Sequence, residues 1–90
     1  MEDRALFLRI RHVNPGITNN DILGVTMSFG KITGLRVKDR VAVVRFDTDA
    51  AATDAENILA EHSMLLRARL GAQATVDTVY HTRSKTRNKA

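Results

Sequence analysis

Leu8-Arg9-Ile10-Arg11, Val43-Val44-Arg45-Phe46 and Leu66-Arg67-Ala68-Arg69-Leu70 alternate apolar residues with arginine. A period of two predicts strands, with successive side chains on opposite faces. With Leu8, Ile10, Val44, Phe46, Leu66, Ala68 and Leu70 turned to a core, Arg9, Arg11, Arg45, Arg67 and Arg69 share the other face. The expectation is a sheet packed on one side and open on the other, the open side being basic. Such a surface suits a polyanion, of which nucleic acid is the commonest.

Around these stretches, residues 5 to 13 read as the first strand, with Leu6, Leu8 and Ile10 inward. Asn14-Pro15-Gly16 ends it with turn chemistry. Thr18 is a helix N-cap with Asp21 in the capping-box position. A helix over about 19 to 29 follows, its stripe being Ile22, Val25 and Phe29. Gly30 ends that helix as a left-handed residue. Residues 32 to 38 form the second strand, with Arg36 and Lys38 outward. Lys38-Asp39-Arg40 makes a tight hairpin into the valine-rich third strand, 41 to 46.

Asp47-Thr48-Asp49 caps a second helix over about 49 to 60, with Ala52, Ala55 and Leu59 inward and Ile58 beside them. Residues 65 to 70 are expected as the fourth strand. Residues 71 to 80 leave two readings open: a short helix capped by Thr75, with Val76, Val79 and Tyr80 at helical spacing, or a short strand. Thr82-Arg83-Ser84-Lys85-Thr86-Arg87-Asn88-Lys89-Ala90 is polar, basic and expected to be disordered. The domain organisation is thus a folded unit over 1–74, an extension over 75–81 that packs on it, and a basic tail over 82–90. Strand, helix, strand, strand, helix, strand is the α+β ferredoxin-like βαββαβ sandwich, a four-stranded antiparallel sheet with two helices on one face.

Composition narrows the function classes. Ninety residues, 43% of them hydrophobic, make one domain with a modest core. No apolar run reaches membrane-spanning length. The acidic start, Met1-Glu2-Asp3-Arg4, with only a short apolar stretch after it, does not resemble a signal peptide. The chain has no cysteine, so disulfides and thiolate metal sites are excluded, which fits a reducing compartment. The net charge is +4, and the sign distribution is more telling. Arg9, Arg11, Arg36, Lys38, Arg45, Arg67 and Arg69, the seven charges expected on the open face, are all basic. Nearly all of the acidic residues fall in expected helices, turns and termini.

The order of elements and several local segments resemble the RNA recognition motif (RRM) over about residues 5 to 74. Phe29-Gly30-Lys31-Ile32 is similar to that family's helix-to-strand junction, and Thr18-Asn19-Asn20-Asp21-Ile22 to the start of its first helix. Ala52 and Ala55 after Phe46 look like its second helix. The family stacks bases on aromatic side chains of two signature segments. The shorter segment aligns with Leu8-Arg9-Ile10-Arg11-His12-Val13, where Arg9 holds the aromatic position. The longer aligns with Asp39-Arg40-Val41-Ala42-Val43-Val44-Arg45-Phe46, where Val41 and Val43 hold the stacking positions. Phe46 matches a core aromatic. Valines there and a short hairpin are similar to the polypyrimidine-tract-binding and hnRNP-L-like branch. The resemblance implies RNA binding through aliphatic and basic side chains.

The expected nucleic-acid-binding residues are therefore Arg9, Arg11, Arg36, Lys38, Val41, Val43, Arg45, Arg67 and Arg69. Arginine pairs with phosphate and also stacks on bases, so binding should be salt-sensitive and weakly selective. Phe7 falls on the open face, either stacking on a base or packing at the sheet edge, and Tyr80 anchors the segment after residue 75. No catalytic constellation, no metal site among His12, His62 and His81, and no phosphate loop among Gly24, Gly30 and Gly34 is expected. Neither a cofactor nor a small-molecule substrate is implied. The expected partner is single-stranded RNA, for a monomer in the nucleus or cytoplasm, the nucleus favoured. A protein-interaction or self-association module on the same fold, and charge-driven DNA binding, are the alternatives.

Overall fold

The computed structural model describes residues 2–84, with side chains described for residues 5–80. The elements run β1 (Glu2–Arg11), α1 (Asn19–Thr26), a 3₁₀ turn (Met27–Phe29), β2 (Ile32–Lys38), β3 (Val41–Phe46), α2 (Asp49–Glu61), α3 (Ser63–Leu70) and β4 (Thr75–Ser84). The strands form one antiparallel sheet in the order β2-β3-β1-β4. This is the expected ferredoxin-like arrangement, with a helical layer of three helices rather than two.

Alternation drives the sheet. Leu6, Leu8 and Ile10 of β1 and Ala42, Val44 and Phe46 of β3 are buried against Ile22, Val25, Ala51, Ala52, Ala55, Leu59, Leu66 and Leu70 of the helices. Leu8 and Ile10 are wholly inaccessible. Truncating such a side chain to alanine costs about 2–5 kcal/mol. Polar capping fixes where the helices begin. The Thr18 hydroxyl accepts from the Asp21 N–H at 3.3 Å, and the Asp21 carboxylate accepts from the Thr18 N–H at 3.0 Å. Thr48 caps α2 by accepting from the Ala51 N–H at 3.2 Å. Asp49 accepts from the Leu6 N–H at 3.1 Å, satisfying β1 where the β3 ladder has run out.

The fourth strand is not where the alternation of residues 65 to 70 places it. Leu66 and Leu70, four residues apart, are buried on one side of α3, whereas Ala68, which a strand would turn inward with them, is exposed. Leucine, methionine, alanine and arginine are strong helix formers. No β-branched or aromatic residue occurs from Ala60 to Ala74. Strand formers resume with Thr75-Val76-Asp77-Thr78-Val79-Tyr80, and there β4 lies along β1. The segment expected as an extension is thus the sheet's edge strand. The basic tail expected over 82–90 lies, from residue 85 onward, outside the described residues.

Two turns hold the sheet in register. Asp39 and Arg40 both have positive φ, 54° and 65°, the signature of a type I′ hairpin. Arg40 also ties this hairpin to the β1–α1 loop, its Nε donating to the Val13 carbonyl at 2.8 Å. Gly30 is extended, at φ 169°, and not left-handed as its position after a helix suggests. Close approach explains it instead: a Cβ on Gly30 would stand 2.8 Å from the Ala51 Cβ.

Candidate nucleic-acid interface

The buried alternates of each strand face the helices, so the other alternates make the open face. Cross-strand partners fall in three rows across β2, β3, β1 and β4. The first is Gly34, Arg45, Phe7 and Val79. The second is Arg36, Val43, Arg9 and Asp77. The third is Lys38, Val41, Arg11 and Thr75. Phe7, Val41, Val43 and Val79 are half-buried, so an apolar floor lies between charged side chains. The Arg45 guanidinium stands 5.9 Å from the centroid of the Phe7 ring, within cation–π range. Phe7 therefore lies on the open face beside a cation.

Seven of the nine expected binding residues come together here: Arg9, Arg11, Arg36, Lys38, Val41, Val43 and Arg45. Arg67 and Arg69 do not. They project from the exposed side of α3 in the helical layer, and Arg67 borders a small cleft between α2, α3 and β4. The misplaced fourth strand is the reason. The fourth strand over Thr75–Ser84 also brings in Asp77, which lies in the segment where the sequence leaves a short helix and a short strand both open. Thr75 through Tyr80 carry alternation and strand propensity that would have exposed it.

Asp77 changes the electrostatics of the face. Arg9 donates to it twice, Nε to Oδ1 at 3.0 Å and Nη2 to Oδ2 at 2.7 Å. Arg11 Nη2 stands 3.8 Å from the same Oδ2. These hydrogen bonds from Arg9 hold the Asp77 carboxyl below its ordinary range; partial desolvation opposes them, and the charges of Arg9 and Arg11 assist. The same pairing makes the Arg9 guanidinium still harder to deprotonate. Arg36 and Lys38, by contrast, have no carboxylate within 4 Å among the described residues. Among the described residues, the face thus carries cations without a carboxylate on its β2 side and a neutralised pair on its β4 side.

Among the described residues, no three His, Cys, Asp or Glu side chains cluster to hold a metal ion. None of the described helices is long and apolar enough to cross a membrane.

No protein-family model and no curated protein sequence matches the chain. Solved structures do. The RRM domain of S. pombe Puf1 superposes with a TM-score of 0.70 at 14% identity, covering 92% of this chain and 98% of that one. The Nab3 RRM, solved in a study of cis-element recognition in non-polyadenylated RNAs, superposes with a TM-score of 0.60 at 14% identity, covering 89% and 96%. The fold is that of RRM domains, α+β and ferredoxin-like.

Proposed function

We propose that this protein is a non-enzymatic module that binds single-stranded RNA across the open face of its sheet, with weak base selectivity. One observation carries the reading. Five cations on three adjacent strands, Arg9, Arg11, Arg36, Lys38 and Arg45, surround an apolar floor on the face that α1, α2 and α3 leave uncovered. The Puf1 and Nab3 structures are RRM domains, and the second was studied for RNA recognition, which supports the same reading. Cations at the β2 side suit phosphates, while Val41, Val43, Phe7 and Val79 suit the flat surfaces of bases. Val41 and Val43, in the positions where the RRM resemblance expects stacking aromatics, follow the polypyrimidine-tract-binding and hnRNP-L-like pattern. Aliphatic contact discriminates little among bases, hence the weak selectivity.

Fluorescence anisotropy with a mixed-sequence single-stranded RNA tests the reading across a salt series. Log affinity should fall with log salt at a slope of roughly −2 to −3, as three to four phosphate contacts on a single strand require. Single-stranded and duplex DNA competitors report the preference for RNA. The Arg36→Glu, Arg45→Glu double variant should abolish binding, and unchanged binding by that variant would exclude the sheet face.

A further inference from the structure

We propose that Arg9 provides a flat surface on which a base stacks, rather than a clamp for phosphate, and that Asp77 is the positioning residue that assigns it this role. The proposal rests on the reading of the open face as a single-stranded RNA interface. It follows from which edge of the guanidinium is occupied. The Nε and Nη2 edge is a fork whose two parallel N–H groups match a carboxylate or a phosphate. In this protein Asp77 already fills that fork, at 3.0 and 2.7 Å. A phosphate competing for it would have to displace a carboxylate held on the neighbouring strand, directly opposite Arg9 in the β1–β4 register. It would also leave Asp77 close to its own negative charge.

The pair as a whole is neutral, so it adds no net attraction for a phosphate. The hydrogens left on Nη1 and Nη2 thus belong to a neutral pair, and Arg9 also retains its planar π system, with the side chain about one-third exposed. Val43 flanks it in the same row, on β3. A planar group anchored at one edge beside an apolar side chain has the attributes of a stacking platform. Arg36 and Lys38 have no such tether among the described residues, which suits them to phosphates. Arg9 and Arg36 are therefore assigned different work, although both are arginines in one row of one sheet.

Substitutions that separate charge from flatness give the test, using the anisotropy titration with single-stranded RNA in a salt series. Arg9→Lys keeps the charge and loses the plane. Its affinity should fall roughly 5- to 150-fold, as expected for one lost stack, with the salt slope unchanged. The double variant Arg9→Phe, Asp77→Asn replaces the neutral pair by a neutral aromatic platform. Its affinity should stay within about threefold of the original, again at an unchanged slope. In the complex with the unaltered protein, the Arg9 Nε–H resonance should move upfield, under the ring current of a base. Full affinity in Arg9→Lys overturns the proposal. So does a weakened Arg9→Phe, Asp77→Asn variant whose slope becomes shallower by about 0.7, the mark of a lost phosphate contact. Circular dichroism confirms that both variants are folded. Failure of the unaltered protein to bind RNA even at low salt overturns the RNA reading and this assignment together. Binding with an indifferent Arg9 overturns this assignment alone.

Discussion

The β2 side and the β4 side of the open face hold the same kinds of cation in different states. Arg36 and Lys38 stand without a carboxylate partner among the described residues, while Arg9 is held in a fork by Asp77 and Arg11 lies 3.8 Å from the same oxygen. Counting cations would make the two sides equivalent. A single carboxylate on the edge strand makes them different, because it neutralises one cation, orients it and draws on a second. The unit of function on such a face is the cation together with its neighbour across the ladder.

The largest effect should come from the unpaired side. The Arg36→Glu, Lys38→Glu double variant should weaken RNA binding by two orders of magnitude or more at low salt, and the salt slope should become shallower by about 1.4, for two lost phosphate contacts. Isothermal titration at several salt concentrations checks both. A loss no greater than that of Arg9→Lys would erase the distinction between the sides. Next in size is the Asp77→Asn variant. Freed from its tether, Arg9 becomes available to phosphate, so the slope should steepen by about 0.7, and affinity at low salt should change less than tenfold.

A smaller effect is expected of Arg67→Glu with Arg69→Glu. These cations lie in the helical layer, so RNA affinity should stay within about threefold, set only by long-range screened charge. The smallest concerns stability. Asp77 has a lowered folded-state pKa, so its pairing stabilises the fold above the unfolded-state value, near pH 4, and that contribution disappears as pH falls through the folded value. The urea midpoint of Asp77→Asn should therefore lie slightly below that of the unaltered protein at pH 7, and the gap should close on acidification. A gap that persists at pH 2 would show that packing, not charge, sets the difference.

Strands β1 to β3, helices α1 and α2, their caps and most of the core are legible in the sequence, because each carries one period only. Leu6 and Ile10 are four apart, but a helix would turn the large Leu8 between them to its opposite side, so the three fit a strand alone, and the Thr18–Asp21 and Thr48 caps stand where the apolar pattern changes. Residues 66 to 70 differ, since leucines four apart satisfy both a strand alternation and a helix face. Composition separates the two, through the lack of β-branched residues from Ala60 to Ala74. Misplacing that strand brought Arg67 and Arg69 into the site and left Asp77 out. The Arg9–Asp77 pairing spans 68 residues, and no local pattern reports so distant a register. The tight seat of Gly30 is likewise a matter of tertiary distance, since only the position of Ala51 reveals it.

The order of strands has a bearing on how the chain is made. β1 lies in the middle of the sheet, yet Leu8 pairs with Val44 on one side and Thr78 on the other. At about 5–20 residues per second of synthesis, the second pairing waits roughly 4 to 14 seconds after Leu8 has been joined to the chain. Throughout that interval β1 has an unsatisfied backbone edge, the feature that invites pairing between chains. Arg9 and Arg11 stand on it, two like charges that repel a second copy of the same strand in register. The side chains that line the open face of the finished protein thus also guard the unfinished one, until β4 arrives with the carboxylate that takes up Arg9.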